Sequence, residues 1–156
     1  MNQIDAITTN GAQLARPLHA HTAPSGLTIL LVEDEAFVRE VTSDLLEAEG
    51  FRVLKAKNAA DARAAFRRHC KSVQLLLTDV VLPGENGRDL ASHLRRLSPN
   101  LLIIFVSGYP VNAVTRDSVS ERGMFYLPKP FSAETLLSKV RQVLRQENAG
   151  IHAHCR

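Results

Sequence analysis

The sequence predicts an α/β protein with a doubly wound parallel sheet of five strands and helices on both faces. Five short apolar runs alternate with longer segments, and in most of these segments the apolar residues recur at helical spacing. Strands joined through helices form right-handed crossovers, which require parallel pairing. In addition, several runs end abruptly in polar side chains, as the run Leu75–Leu77 ends in Thr78 and Asp79. Open α/β sheets bind their ligands at this end of the strands.

The first half of the chain supplies two strands and two helices. The apolar run Thr28–Val32 is the first predicted strand, and the amphipathic helix after it closes near Gly50. The run Phe51–Lys55 is more polar, which favours an edge strand. Asn58 is expected to cap the second helix. The residues expected on the inward faces of these two helices are Val38, Val41, Leu45, Ala62, Ala65 and Phe66.

The second half continues the alternation. The third strand leads into a turn at Gly84–Gly87 and a third helix, and the uninterrupted apolar run Leu101–Val106 is typical of a central strand. Residues Val111–Gly123 have the poorest helical pattern, so we expect a short or mobile helix there. Met124–Leu127 is the fifth predicted strand, and Ser132 is expected to cap the last helix. The inward-facing residues expected in the third and last helices are Leu90, Leu94, Leu97, Leu136, Val140, Val143 and Leu144.

Length and composition indicate one globular domain. The 156 residues are 45% hydrophobic and 22% charged, which suffices for a core. We expect a folded domain over 27–146, a flexible arm over 1–26 and a flexible tail over 147–156. No apolar run approaches the roughly 20 residues of a membrane span, and no secretory signal is found, so we expect no membrane association and a cytoplasmic location. The basic residues behind the net charge of +3 are spread over several helices, so direct nucleic-acid binding is not expected.

Five polar residues lie at the ends of four predicted strands. They are Glu33 and Asp34 after the first strand, Asp79 at the end of the third, Ser107 after the fourth and Lys129 after the fifth. All these positions share one edge of a parallel sheet, so the side chains can converge although they are far apart in sequence. No glycine-rich nucleotide-binding loop accompanies them, so ATP or a dinucleotide is not expected in the usual binding modes.

These residue types suit phosphoryl transfer. Crowded carboxylates repel one another, and a hard divalent cation relieves the repulsion; Mg²⁺ binds through one or two carboxylates and keeps several waters. An ammonium and a hydroxyl opposite the ion neutralise charge on the transferred group. A carboxylate can serve as the nucleophile and then forms an aspartyl phosphate. The pattern therefore favours Mg²⁺-assisted phosphoryl chemistry at this edge.

Four segments carry a resemblance to a known family. They are Leu31–Glu35, Leu77–Gly87, Val106–Gly108 and Leu127–Phe131, which read LVEDE, LTDVVLPGENG, VSG and LPKPF. Together they resemble the receiver (CheY-like) domain of two-component response regulators, over about residues 28–145. The resemblance implies a flavodoxin-like fold with strand order 2-1-3-4-5. Since the chain ends soon after the last predicted helix, we expect a response regulator of the single-domain type.

The resemblance also implies roles for individual residues. Asp79 would accept a phosphoryl group from a phosphohistidine on a sensor kinase or a phosphotransfer protein. Ser107 and Lys129 would contact the phosphoryl oxygens. Tyr126 matches the aromatic switch residue that moves inward when Ser107 engages phosphate, and the bond between Lys129 and Pro130 is expected to be cis.

The same resemblance implies a Mg²⁺ site. Asp34 and Asp79 would bind the ion directly, and the backbone carbonyl of Val81 would be a third protein ligand. Glu33 would act through a water molecule; it replaces the Asp that is common at this position.

Two residues near the phosphoryl site depart from the usual receiver pattern. Val81 lies two residues after Asp79, and Tyr109 lies two residues after Ser107. These positions border the path of the hydrolytic water in receivers. An apolar valine offers that water no hydrogen bond and a tyrosine can shield the site, so we expect slow hydrolysis of the phosphorylated state.

The resemblance leaves several outputs open. Residues 111–145 correspond to the usual receiver face for docking a downstream protein or forming a homodimer. An alternative is a phosphate-independent adaptor that keeps the fold without the switching. A less favoured alternative is an aspartyl-phosphate phosphatase of the haloacid dehalogenase type, because such enzymes carry a second Asp where Val81 stands here. The leading hypothesis is a phosphoacceptor signalling domain with no enzymatic activity beyond its own phosphorylation and slow dephosphorylation.

Overall fold

The structure, a computed structural model, describes residues 26–108 and 123–151, the last five through their backbone alone. Its strands are β1 (Thr28–Val32), β2 (Arg52–Ala56), β3 (Val73–Asp79), β4 (Val81–Leu82), β5 (Glu85–Asn86), β6 (Leu102–Ser107) and β7 (Met124–Pro128). Its helices are α1 (Ala36–Ala48), α2 (Ala59–His69), α3 (Gly87–Leu97) and α4 (Ala133–Ile151).

Five of the strands form one parallel sheet in the order β2-β1-β3-β6-β7. With the short strands β4 and β5 left out of the numbering, this is the expected order 2-1-3-4-5. The predicted edge position of β2 is confirmed, and β3 lies in the middle of the sheet. The topology therefore places Asp79, the last residue of β3, at the centre of the edge where the strands end.

Both faces of the sheet are buried, which explains why the central strands are continuous apolar runs. Successive side chains of a strand point to opposite faces. Leu30 and Leu76 accordingly pack in one apolar cluster with α2 and α3, whereas Ile29 and Leu75 pack in the other with α1 and α4. Within the described residues, no helix combines the length and apolar character needed to cross a bilayer.

Two of the predicted helix faces are partly wrong. Val41 is 43% exposed, because the buried side of α1 is centred on Thr42, Ser43 and Leu46. The inward hydroxyl of Ser43 donates a hydrogen bond to Glu47 Oε1 at 2.9 Å, so this polar residue is tolerated there. Leu97 is 58% exposed because it is the last residue of α3.

The predicted helix caps are confirmed. The Asn58 side chain accepts a hydrogen bond from the Asp61 backbone N–H at 2.8 Å, and the Ser132 hydroxyl accepts one from the Thr135 N–H at 3.1 Å. Helix α4 runs five residues beyond residue 146, where the sequence pattern had ended the domain.

Three sequence predictions fall largely or wholly on residues that the structure does not describe. The flexible arm over 1–26 and the end of the tail beyond residue 151 lie outside the described ranges, except for Gly26. The weak helix over 111–123 also lies outside them, except for Gly123. These remain predictions.

Candidate functional site

Asp79 lies at the centre of the site with both carboxylate oxygens hydrogen-bonded. Lys129 Nζ donates to Asp79 Oδ2 at 2.7 Å, and the Val81 backbone N–H donates to Oδ1 at 3.1 Å. The Asp79 side chain is 15% exposed, so one face of the carboxylate still reaches solvent. The preceding Thr78 is fully buried, which fixes the end of β3.

The loop after β1 brings the predicted acid pair to the same edge. Glu33 is buried, and its Oε1 accepts a hydrogen bond from the Glu35 N–H at 3.1 Å. Asp34 is exposed. Arg39, from the first turns of α1, donates to the backbone carbonyls of Glu33 at 2.7 Å and of Asp34 at 3.2 Å. The guanidinium group thereby holds the main chain of both acidic residues.

Lys129 joins the two acidic parts of the site. Its ammonium group contacts Asp79 and, at 3.4 Å, Glu33 Oε2, while its backbone N–H donates to the Ser107 carbonyl at 2.7 Å. Burial alone would lower the pKa of Lys129, but the hydrogen bond and charge of Asp79, with a smaller contribution from Glu33, raise it above its usual value. The expected cis bond between Lys129 and Pro130 is confirmed.

Glu33 experiences the opposite balance. Burial raises the pKa of its carboxyl group, although the Glu35 N–H and the positive charge of Lys129 favour the ionised form. A carboxyl group whose pKa is shifted both by burial and by specific charged neighbours marks a candidate functional site.

The predicted hydroxyl and aromatic residues lie on the two strands beyond β3 in the sheet, Ser107 on β6 and Tyr126 on β7. Ser107 is buried as the last residue of β6 and lies beside Pro128 in the register with β7. Tyr126 is half-buried, its ring stacks on Phe105 at 5.3 Å between centroids, and the guanidinium carbon of Arg88 lies 5.7 Å from the ring centre. Tyr109 lies outside the described residues.

The segment after Asp79 is a small antiparallel hairpin that the sequence did not predict as strands. Val81 pairs with Asn86 and Leu82 pairs with Glu85. Val81 is 60% exposed at the rim of the site, and Leu82 is buried in the core. Gly87 closes the segment so tightly that an added Cβ would lie 2.0 Å from the Asp79 carbonyl oxygen. Only glycine fits this close approach.

The sequence alone did not predict that three further residues contribute to the site. Arg39 and Arg63 act through long side chains that reach the site loops from helices, and no local pattern marks such contacts. Gly87 was assigned only to a turn, and its close approach to the Asp79 backbone depends on the folded position of α3.

The donor set fits a hydrated magnesium ion better than a metal cage made of protein alone. In the described ranges, no three His, Cys, Asp or Glu side chains form a group that could hold a metal. Mg²⁺ does not need one, because it binds through one or two carboxylates and keeps water ligands. Asp34, Asp79 and the Val81 carbonyl supply only hard oxygen donors, and buried Glu33 adds negative charge. The chemistry of these residues therefore fits Mg²⁺.

Several known proteins are similar to this chain in sequence or in structure. A family model described as the response regulator receiver domain matches residues 29–141. The chain is 34% identical to the sensor kinase CckA of Brucella abortus over 121 residues, 78% of this chain but 13% of CckA. It is 33% identical to the response regulator receiver protein CpdR of Brucella abortus, over 74% of this chain and 95% of CpdR. The crystal structure of the receiver domain from the hybrid histidine kinase CckA matches with a TM-score of 0.65 at 35% identity, over 75% of this chain and 98% of that domain.

Proposed function

The chain belongs to the response regulator receiver domain family, and from this membership we propose that it is a phosphorylation-controlled switch whose acceptor is Asp79. One observation carries the assignment. Asp79 ends the central strand of the sheet, and its carboxylate contacts the Lys129 ammonium at 2.7 Å. A nucleophile and a fixed positive charge are therefore placed together where phosphoryl charge would develop.

The proposed reaction moves a phosphoryl group from a phosphohistidine to Asp79. A carboxylate oxygen of Asp79 attacks phosphorus, the new P–O bond forms as the P–N bond breaks, and the imidazole nitrogen of the donor keeps the electron pair. Lys129 neutralises charge on the phosphoryl oxygens, and the Ser107 hydroxyl donates a hydrogen bond to one of them. Asp34, Asp79 and the Val81 carbonyl would hold Mg²⁺ directly and Glu33 would act through water, and the ion would supply further charge neutralisation when bound.

The signal would spread from Ser107 to Tyr126. Ser107 ends β6, and Tyr126 lies on the adjacent β7 with its ring stacked on Phe105. Movement of the Ser107 hydroxyl toward phosphate would open space into which the tyrosine ring can turn. The face over residues 111–145 is the proposed docking surface for a downstream protein or a second copy.

The proposed phosphoryl donor is a sensor histidine kinase or a histidine phosphotransfer protein. A single-domain response regulator is supported by the match to CpdR, which this chain covers over 95% of its length. We propose that the protein acts as a phosphoacceptor in the cytoplasm and that its only chemistry is phosphorylation of Asp79 and slow loss of that phosphate.

The proposal is tested by intact mass after incubation with acetyl phosphate and MgCl₂. The wild type should gain one phosphoryl group. Asp79→Asn should gain none, and neither should the wild type in excess EDTA. A phosphohistidine-bearing kinase serves as a second donor. Failure of both donors to modify a folded wild-type protein would contradict the proposal and favour a phosphate-independent adaptor.

A further inference from the structure

The hairpin of β4 and β5 determines where the main chain of Val81 lies relative to Asp79. The Val81 N–H donates a hydrogen bond to Asp79 Oδ1, and the Gly87 N–H donates one to the Val80 carbonyl at 2.8 Å. The hairpin itself has only two residue pairs. Such a short ribbon is not stable alone, so contacts from elsewhere must hold it.

One such contact is a bidentate ion pair between Arg63 on α2 and Glu85 on β5. Arg63 Nη1 donates to Glu85 Oε2 at 2.7 Å, and Nη2 donates to Oε1. The side chains are 27% and 23% exposed, so solvent screens the pair only partly. The two parallel hydrogen bonds restrict the orientation of Glu85 as well as its distance from α2.

Helix α2, which carries Arg63, is itself fixed in place by a helix cap and by buried side chains. Its first turn is capped by Asn58, and Ala62 and Phe66 are fully buried against the sheet. On the other strand of the hairpin, Leu82 is buried in the same apolar cluster. The hairpin is therefore held by Leu82 on β4 and by Glu85 on β5, and these two residues face each other in the register.

We propose that Arg63 and Glu85 are positioning residues for the cation and phosphoryl site. Their ion pair fixes the hairpin, and the hairpin fixes the Val81 peptide, whose carbonyl would bind Mg²⁺ and whose N–H orients the Asp79 carboxylate. The inference rests on the proposed function, since the Val81 carbonyl is a ligand only if the site binds Mg²⁺. It adds a residue pair that would act on the affinity of the site through the hairpin.

The test is the dissociation constant of Mg²⁺, measured by calorimetry on EDTA-treated protein. Arg63→Met and Glu85→Gln should each weaken Mg²⁺ binding by about tenfold, the usual scale for losing a supporting contact behind a metal ligand. The double variant should lose no more than either single variant, because both remove the same pair.

The signs of the two effects separate positioning from simple charge. Arg63→Met removes a positive charge, which by itself would strengthen Mg²⁺ binding, whereas Glu85→Gln removes a negative charge, which would weaken it. Weaker binding in both variants supports positioning. Opposite changes, or wild-type affinity in both variants, would overturn it.

An exposed ion pair supplies the matched control. Lys55 Nζ and Glu40 Oε2 are 2.6 Å apart, with side chains 40% and 53% exposed, and they join α1 to β2. Lys55→Met and Glu40→Gln should leave the Mg²⁺ dissociation constant within about twofold of wild type. Equal weakening in these controls would overturn the assignment to Arg63 and Glu85.

A purely structural role is distinguished by a second measurement and a rescue. Lower stability in urea with unchanged Mg²⁺ affinity would overturn the proposal. The exchanged variant Arg63→Glu with Glu85→Arg should recover affinity, and failure to recover in a folded protein would also overturn it. A wild-type protein that takes up phosphate while the pair variants keep normal Mg²⁺ affinity refutes only this inference, whereas a wild type that takes up no phosphate refutes the proposed function.

Discussion

Lys129 is the residue that ties the acidic parts of the site together. It contacts both Asp79 and Glu33, and the two carboxylates raise its pKa, so it is fully charged at neutral pH. In the proposed reaction, the same ammonium group would neutralise charge on a phosphoryl group at Asp79. Its contribution should therefore appear in the rate of phosphorylation.

Replacing Lys129 by Met should slow phosphoryl uptake from acetyl phosphate by about 10²–10³-fold, the scale for removing one preorganised charge-stabilising donor. The time course of intact mass measures the rate. Lys139→Met is the matched control, since Lys139 is on α4 and its ammonium group lies over the ring of Phe125 rather than in the site. A Lys129→Met rate within a few fold of wild type would contradict the role of Lys129.

The raised pKa of Glu33 makes a prediction about stability. The folded protein keeps the Glu33 proton at pH values where the unfolded chain has already released it. The contribution of Glu33 to the free energy of unfolding therefore falls as the pH rises from 4.5, the ordinary pKa of a glutamate, through the raised pKa of Glu33 in the folded protein. Glu33→Gln cannot titrate and should lack this contribution.

The measurement is the free energy of unfolding in urea against pH, in metal-free buffer. The free energy of unfolding of the wild type minus that of Glu33→Gln should fall as the pH rises above 4.5. This difference should level off once Glu33 is ionised in the folded protein. A difference that is constant or that increases over this range would mean that burial of Glu33 is not the dominant effect.

Val81 should influence the lifetime of the phosphorylated state. Its apolar side chain is 60% exposed at the rim of the site and cannot orient a water. Val81→Asn would add one hydrogen bond to that water, worth about 1.4 kcal/mol, and should shorten the lifetime roughly tenfold. The decay of phosphorylated protein followed by mass measures it, and an unchanged lifetime would count against this role of Val81.

At the residue scale, the sequence predicted the residues that end strands. Glu33, Asp79, Ser107 and Lys129 were recognisable because a polar side chain directly after an apolar run is visible in the linear sequence. The ion pair of Arg63 was not recognisable, because its partner Glu85 lies 22 residues away on another element.

At the scale of elements, the junction between β3 and α3 is the most constrained. Gly87 begins α3, and a Cβ at this position would lie 2.0 Å from the Asp79 carbonyl oxygen. The backbone of either segment would have to move to accept any side chain. Because both segments are held by the core, that movement is costly.

Gly87→Ala should lower the free energy of unfolding by about 1–3 kcal/mol, the range for overpacking a filled interior. Urea unfolding measures the change, and Mg²⁺ affinity should fall with it because Asp79 shifts. Gly108→Ala is the control, since a Cβ there meets nothing within 4 Å. Equal stability of the two variants would disprove the close contact at Gly87.

Helix faces were predicted less well than strands. Three apolar residues suggested the inward side of α1, yet Thr42 and Ser43 are buried while Val41 is exposed. Hydrophobic periodicity cannot reveal a buried hydroxyl that satisfies its own hydrogen bond within the helix. The hairpin of β4 and β5 was missed because two-residue strands carry no period.

At the scale of the whole molecule, the alternation of strands and helices determines that the sheet is parallel and covered on both faces. It does not determine the order of the strands; that expectation came from the family resemblance and agrees with the observed order. The order matters for function, because it places β3 between β1 and β6, so that Glu33 after β1 and Lys129 after β7 lie at the same edge as Asp79, where Lys129 contacts both carboxylates.

Locating the modified residue is the direct way to establish whether Asp79 accepts the phosphoryl group. Wild-type protein would be treated with phosphoramidate, a small P–N donor that imitates phosphohistidine, in the presence of MgCl₂. Borohydride would then reduce the acyl phosphate to homoserine, and peptide sequencing by mass spectrometry would find its position. Homoserine is expected at residue 79 alone. Homoserine elsewhere, or a phosphorylated protein with Asp79 unmodified, would contradict it.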